Sequence, residues 1–191
     1  MSSLQIKAAF KDLLELVLIP GLAAILPWRI CFRVFRSISG RLQWLYREDC
    51  ETALKQAHSR GIVPDNQQGL WLAQRRLTTL IDHADLYLAA TRSNAWMRKH
   101  LQTTGDWPKA HAAGVLCMFH WGAGMWALRH AQANGMEANA LVAPVKKAHY
   151  PGRPVAYWYA RARTGMVTRV LKRQTLDVSM TLRPALRALS Q

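Results

Sequence analysis

The chain has 191 residues, half of them apolar and eight of them tryptophan. It is long enough to bury a core and too apolar to be intrinsically disordered. Its 26 lysines and arginines against 11 acids give a formal net charge of +15, which implies an anionic partner: nucleic acid, an anionic membrane surface or a phosphorylated substrate. Cys31, Cys50 and Cys117 lie far apart with no CxxC pair, which argues against both a disulfide framework and a structural zinc site.

In residues 1–40, Leu16 to Trp28 (LVLIPGLAAILPW) is apolar throughout. Thirteen residues fall short of the roughly 20 that a spanning helix needs. Pro20, Gly21 and Pro27 are expected to break a straight helix there. Asp12 and Glu15 stand where a signal peptide would be basic. The following Arg29-Ile-Cys-Phe-Arg-Val-Phe-Arg36 alternates large apolar and cationic residues, a pattern suited to a lipid headgroup boundary. This predicts a membrane-associating segment lying in the interface or dipping into it; the competing reading is a buried hairpin of two core helices.

Residues 41–60 read as a polar helical stretch ended by Gly61 and Pro64. Leu70, Leu77, Ile81, Ala84 and Leu88 then form one apolar stripe on a helix. A shorter helix is expected over Ser93–Leu101, and Asp106-Trp-Pro108 reads as a connector. Val115 to Phe119 is a continuous apolar run, as for a strand covered on both faces. His120-Trp-Gly-Ala-Gly124 reads as a turn, Met125–Asn134 as a helix closed by Gly135, and Ala140–Val145 as a second strand. Strand, helix and strand predict a βαβ unit with His120, Lys146 and Lys147 on the carboxyl edge of the sheet, where ligand sites form.

Residues 154–163 read as a helix with Pro at its start and Gly165 as its stop, followed by a third strand near Val167–Leu171. Leu182, Leu186 and Leu189 mark a last helix. The expected fold is therefore α/β: a mainly parallel sheet flanked by helices, preceded by the membrane-associating amino terminus. The expected divisions are 1–40, a helical region over 41–108, and an α/β core over 109–191 that lacks a further strand. Residues 138–191 carry ten lysines and arginines against one acid, Asp177.

A histidine on a sheet rim beside a Gly-x-Gly turn suits a general base. Phe119-His-Trp-Gly-Ala-Gly-Met125 resembles the His-(four residues)-acid block of the glycerolipid acyltransferase superfamily, within it the late acyltransferases of bacterial lipid A biosynthesis. His120, Trp121 and Gly122 match the first three positions of the block, and Arg161-Ala-Arg-Thr-Gly165 matches a later Arg-x-x-x-Gly. The family's acid falls on Met125, which neither ionises nor orients an imidazole. Asp106 and Glu137 are other acids near the block, though spacing places neither beside it.

The resemblance implies acyl transfer from acyl carrier protein, or a coenzyme A thioester, to a hydroxyl of a glycolipid or lysolipid on the cytoplasmic face of the inner membrane. His120 would be the base, and Gly122 and Gly124 would give the backbone close approach to the thioester. Lys146, Lys147, Arg153 and Arg161 would hold anionic groups of the substrates. No cofactor is implied.

Two other readings compete. Gly122-Ala-Gly124-Met-Trp-Ala127 satisfies the GxGxxA form of a dinucleotide turn, and lysines after the second strand would suit NADP. A basic protein without catalysis would bind anionic membrane or nucleic acid through the same charge. Tyr157, Trp158 and Tyr159 are successive on a helix and cannot present one stacking face to bases, so a helix with one aromatic side buried and Arg161 and Arg163 outward is expected. His100, His111, His130 and His149 show no ligand spacing with acids or cysteines, and no metal is assigned.

Overall fold

The computed structural model describes residues 3–107, 122–173, 175–177 and 187. The first apolar run, Val115–Phe119, and the last amphipathic segment at 180–189 (Arg187 apart) lie outside the described residues, as do Cys117, His120 and Trp121. Of what is described, 72% is helix and 2% strand. This corrects the α/β expectation. The segment read as a strand over Ala140–Val145 pairs only through β1 (Leu141–Val142). Its parallel partner is β2 (Leu176–Asp177). Among the described residues, two on each side leave no sheet face for helices to cover.

The helices are α1 (Ser3–Asp12), α2 (Ile19–Ile25), α3 (Trp28–Arg41), α4 (Arg47–Ser59), α5 (Gln68–Thr91), α6 (Asn94–His100), α7 (Gly124–Ala133) and α8 (Pro154–Leu171). The bundle is built round α5, which packs on α2, α3, α4, α7 and α8. Its carboxyl half is buried at Leu80, Asp82, Ala84, Asp85, Leu86, Leu88 and Ala89. Those positions cover about two thirds of the helix circumference, whereas the apolar stripe predicted one face. Leu70, the first member of that stripe, is exposed on the opening turn.

Of the expected breaks in the apolar amino-terminal segment, the one at Pro27 is present, between α2 and α3, whereas Pro20 and Gly21 lie inside continuous helix. α1 runs through a π-helical turn, Leu13–Leu18, into α2 with backbone still helical at Leu18 and Ile19. Pro20 has no N–H for the carbonyl of Leu16, four residues back; the Tyr87 hydroxyl of α5 donates to that oxygen instead, at 2.7 Å. Pro27 likewise has none for Ala23, and Arg92 donates from Nη2 to the Ala23 and Leu26 carbonyls at 2.8 and 3.0 Å. The chain turns extended at Leu26. Each carbonyl left open by a proline is thus met by a side chain of α5 or of its end, and an otherwise costly buried acceptor becomes a docking contact.

α3 shows period-four burial: Cys31, Phe35 and Ser39 face inward. Trp28 at its start meets Phe35 and Trp96 edge-on, with ring centroids 6.4 and 6.5 Å apart. Trp96 in turn meets Trp126 of α7 at 4.9 Å. These rings pin α3, α6 and α7 together, the fully buried Phe35 contributing about 1.5–3 kcal/mol and the half-buried Trp28 and Trp96 less than full burial would give. α6 starts as expected: the Ser93 hydroxyl caps it by accepting from the Trp96 amide at 3.2 Å. α7 ends as expected, with Gly135 in left-handed backbone at φ +83°.

The expected stop at Gly165 and strand near 167–171 are also corrected. α8 continues through Gly165 to Leu171 and stops at Lys172, whose own φ is +55°. Ala156, Tyr159, Val167, Val170 and Leu171 are its buried residues, a helical pattern that extends past the glycine. A glycine costs a helix about 1 kcal/mol, less than the burial of Val167, Val170 and Leu171 returns.

Candidate functional site

The block beginning at His120 enters the described structure at Gly122. Gly122 has φ +81°, a conformation that favours glycine. Gly124, buried, opens α7. Met125 and Trp126 are buried beside it. The Met125 amide donates to Asp85 Oδ2 at 2.5 Å. Asp85 is a carboxylate of α5 with 1% exposure, so a buried acid lies on the backbone of the residue that stands at the family's acid position. Sequence reasoning missed Asp85. The available signal was an acidic pair, Asp82 and Asp85, inside the most apolar half of a helix, where unpartnered charge is costly.

Asp85 belongs to a polar seam through the bundle. Asp82 holds Arg163 of α8 in a two-pronged ion pair at 2.8 and 2.9 Å. His83 Nδ1 is 2.9 Å from the Tyr46 hydroxyl. That hydroxyl donates to the Glu15 carbonyl at 2.5 Å, while the Tyr46 amide donates to Glu15 Oε1 at 2.7 Å. Because the single hydroxyl proton of Tyr46 is committed to Glu15, His83 carries its proton on Nδ1 and donates it. The Tyr159 hydroxyl donates to the His83 carbonyl at 3.1 Å. Burial holds His83 down to about 4, against the pull of Asp82 and with Arg163 adding to the depression. Burial also raises Glu15, opposed by the Tyr46 amide. The Tyr46 phenol is pushed up, first by burial and then by Glu15. The seam is therefore a set of held protons with a neutral imidazole at its centre.

The cationic residues singled out from sequence are dispersed. Lys146 and Lys147 are exposed in the turn after β1. Arg153 forms a two-pronged pair with the buried Asp12, at 2.6 and 3.1 Å. Arg161 is exposed and lies over Trp158 and Tyr157, 5.1 and 5.8 Å from the ring centroids. Tyr159 is buried while Trp158 is exposed, as the one-sided aromatic reading of this helix expected; of the two arginines expected to point outward, Arg161 does, whereas Arg163 turns inward to Asp82. Of the two other acids considered, Asp106 is exposed and Glu137 pairs with Arg173.

The amino-terminal segment faces two ways. Pro20 and Ala23 are buried against the bundle, while Leu18, Ile25 and Ile30 are 52%, 79% and 50% exposed. Arg29, Arg33, Arg36 and Arg41 are exposed on α3. The α2–α3 corner thus presents two isoleucines and a row of arginines together. Among the described residues no helix is long and apolar enough to cross a membrane. Compared with known protein families, with curated proteins and with solved structures, the chain gives no match.

Proposed function

We propose that this chain is a peripheral membrane protein that transfers a fatty acyl group from a thioester to a hydroxyl of a lysophospholipid or lipid A-type glycolipid. The thioester would be that of acyl carrier protein or coenzyme A, and the surface the cytoplasmic face of an inner membrane. His120 takes the hydroxyl proton, the oxygen attacks the thioester carbonyl, and the carbon–sulfur bond breaks. The proton then leaves on the thiol.

The observation that supports this reading most is the buried Asp85 carboxylate on the Met125 amide. The block lacks its acid, and α5 brings one to the same backbone position. This reading assigns to Asp85 the positioning role that the block's missing acid would have. The α2–α3 corner supports the membrane part: isoleucines to enter the interface and arginines to meet anionic headgroups.

The test is thiol release and diacyl-lipid formation from an acyl thioester and a lysophospholipid in vesicles containing phosphatidylglycerol. Wild type should turn over, and His120→Ala should fall by about 10²-fold or more with its helical circular dichroism intact. Asp85→Asn should lower kcat and move the pH profile. A wild-type chain without product, or a His120→Ala rate equal to it, would overturn the proposal. A second reading, a basic membrane-binding protein without catalysis, is favoured by the uncharged, buried Met125 side chain; it predicts vesicle binding and no thiol release.

A further inference from the structure

A cleft of about 400 Å³ lies where the end of α5 meets α6, α7 and the last turn of α8. Its walls include Arg92, Ser93 and Asn94 from the α5–α6 junction, Arg129 from α7, and Arg169 and Lys172 from α8. Four of these are cations, and none of the described lining residues is an acid. Holding like charges round one hollow costs energy unless an anion occupies it.

Two of the arginines, Arg129 and Arg92, are also set in place. Arg129 donates from Nε to Asn94 Oδ1 at 2.6 Å and from Nη1 to the Ala89 carbonyl at 3.2 Å. Those two bonds leave Nη2 uncommitted among the described residues. Burial lowers the Arg129 pKa, and the nearby Arg169 charge adds to that in the same direction. Arg92 is anchored through Nη2 to α2, as described above. Arg169 and Lys172 are exposed at the mouth, and Lys172 sits there because the left-handed end of α8 turns the chain. Fixed guanidinium groups in a small hollow are the chemistry that binds phosphate.

We propose that this cleft binds a phosphomonoester. The dianion answers the charges of Arg129, Arg169 and Lys172 better than a singly charged diester does, and the volume admits a phosphate with a small organic group. The site stands on these side chains alone and does not depend on acyl transfer by the His120 block.

The test is binding to the full chain, by calorimetry for glycerol 3-phosphate and by sedimentation for vesicles with either phosphatidic acid or phosphatidylglycerol at matched total charge. Arg169→Gln with Lys172→Gln is the site variant. Lys55→Gln with Arg60→Gln, exposed on and just after α4, removes the same charge elsewhere. Glycerol 3-phosphate binding that falls at least tenfold in the site variant and not in the control identifies a soluble phosphoester. A preference for phosphatidic acid over phosphatidylglycerol, lost only in the site variant, identifies a lipid headgroup. Absence of both, or equal loss in the two variants, would overturn the proposal.

Discussion

His83 is neutral inside the bundle because burial withdraws much of the water an imidazolium needs, and this has a consequence in solution. The folded ring takes its proton near pH 4 and the unfolded ring near 6.5. Between those values the unfolded chain binds more protons, so the His83 contribution to stability is full above pH 6.5 and is lost as pH falls toward 4. The loss between pH 7 and pH 5 is about 2 kcal/mol. Glu15, raised in the folded state, acts with the opposite sign, so the two are separated by substitution. Melting His83→Phe and wild type at pH 7 and pH 5 should show a smaller decline in the variant; equal declines would mean that the imidazole is not held neutral. None of these partnerships was legible in the sequence. Glu15, Tyr46, His83 and Tyr159 are separated by dozens of residues, and no local pattern records which buried donor meets which acceptor.

At the scale of elements, legibility followed how local the determinants were. α6 and α7 were readable because Ser93 caps one and Gly135 closes the other within a few residues. α8 was not, because Gly165 looks like a stop unless Val167, Val170 and Leu171 are known to have a bundle to enter. A Cβ added at Gly165 meets nothing within 4 Å, and its φ is not positive. Gly165→Ala should therefore stabilise the chain by about 0.5–1 kcal/mol, read as a Tm raised by about 1–4 °C. A lowered Tm would restore the broken helix that the sequence first suggested. The amino-terminal segment was half legible. Its apolar outer face and basic flank were visible, whereas the Tyr87 and Arg92 bonds that let Pro20 and Pro27 join the bundle depend on a helix more than fifty residues later.

The whole molecule places three features round one helix: the Asp85 carboxylate beneath the block after His120, the cationic cleft at the end of α5, and the α2–α3 corner packed on its flank. The α/β expectation failed because runs such as Ala140–Val145 have strand composition, and composition cannot say that only Leu141 and Val142 find a partner. What survives that correction is a surface argument, since Ile25 and Ile30 project among arginines and each buries an aliphatic side chain on entering lipid. Acyl transfer, membrane corner and block are one account only if docking governs the chemistry. The direct measurement is the transfer rate on vesicles of rising phosphatidylglycerol content, for wild type and for Ile25→Asp with Ile30→Asp. The account predicts a wild-type rate that climbs with anionic lipid and a variant rate about tenfold lower on the same vesicles, with unchanged melting. Equal rates at every lipid composition would contradict it.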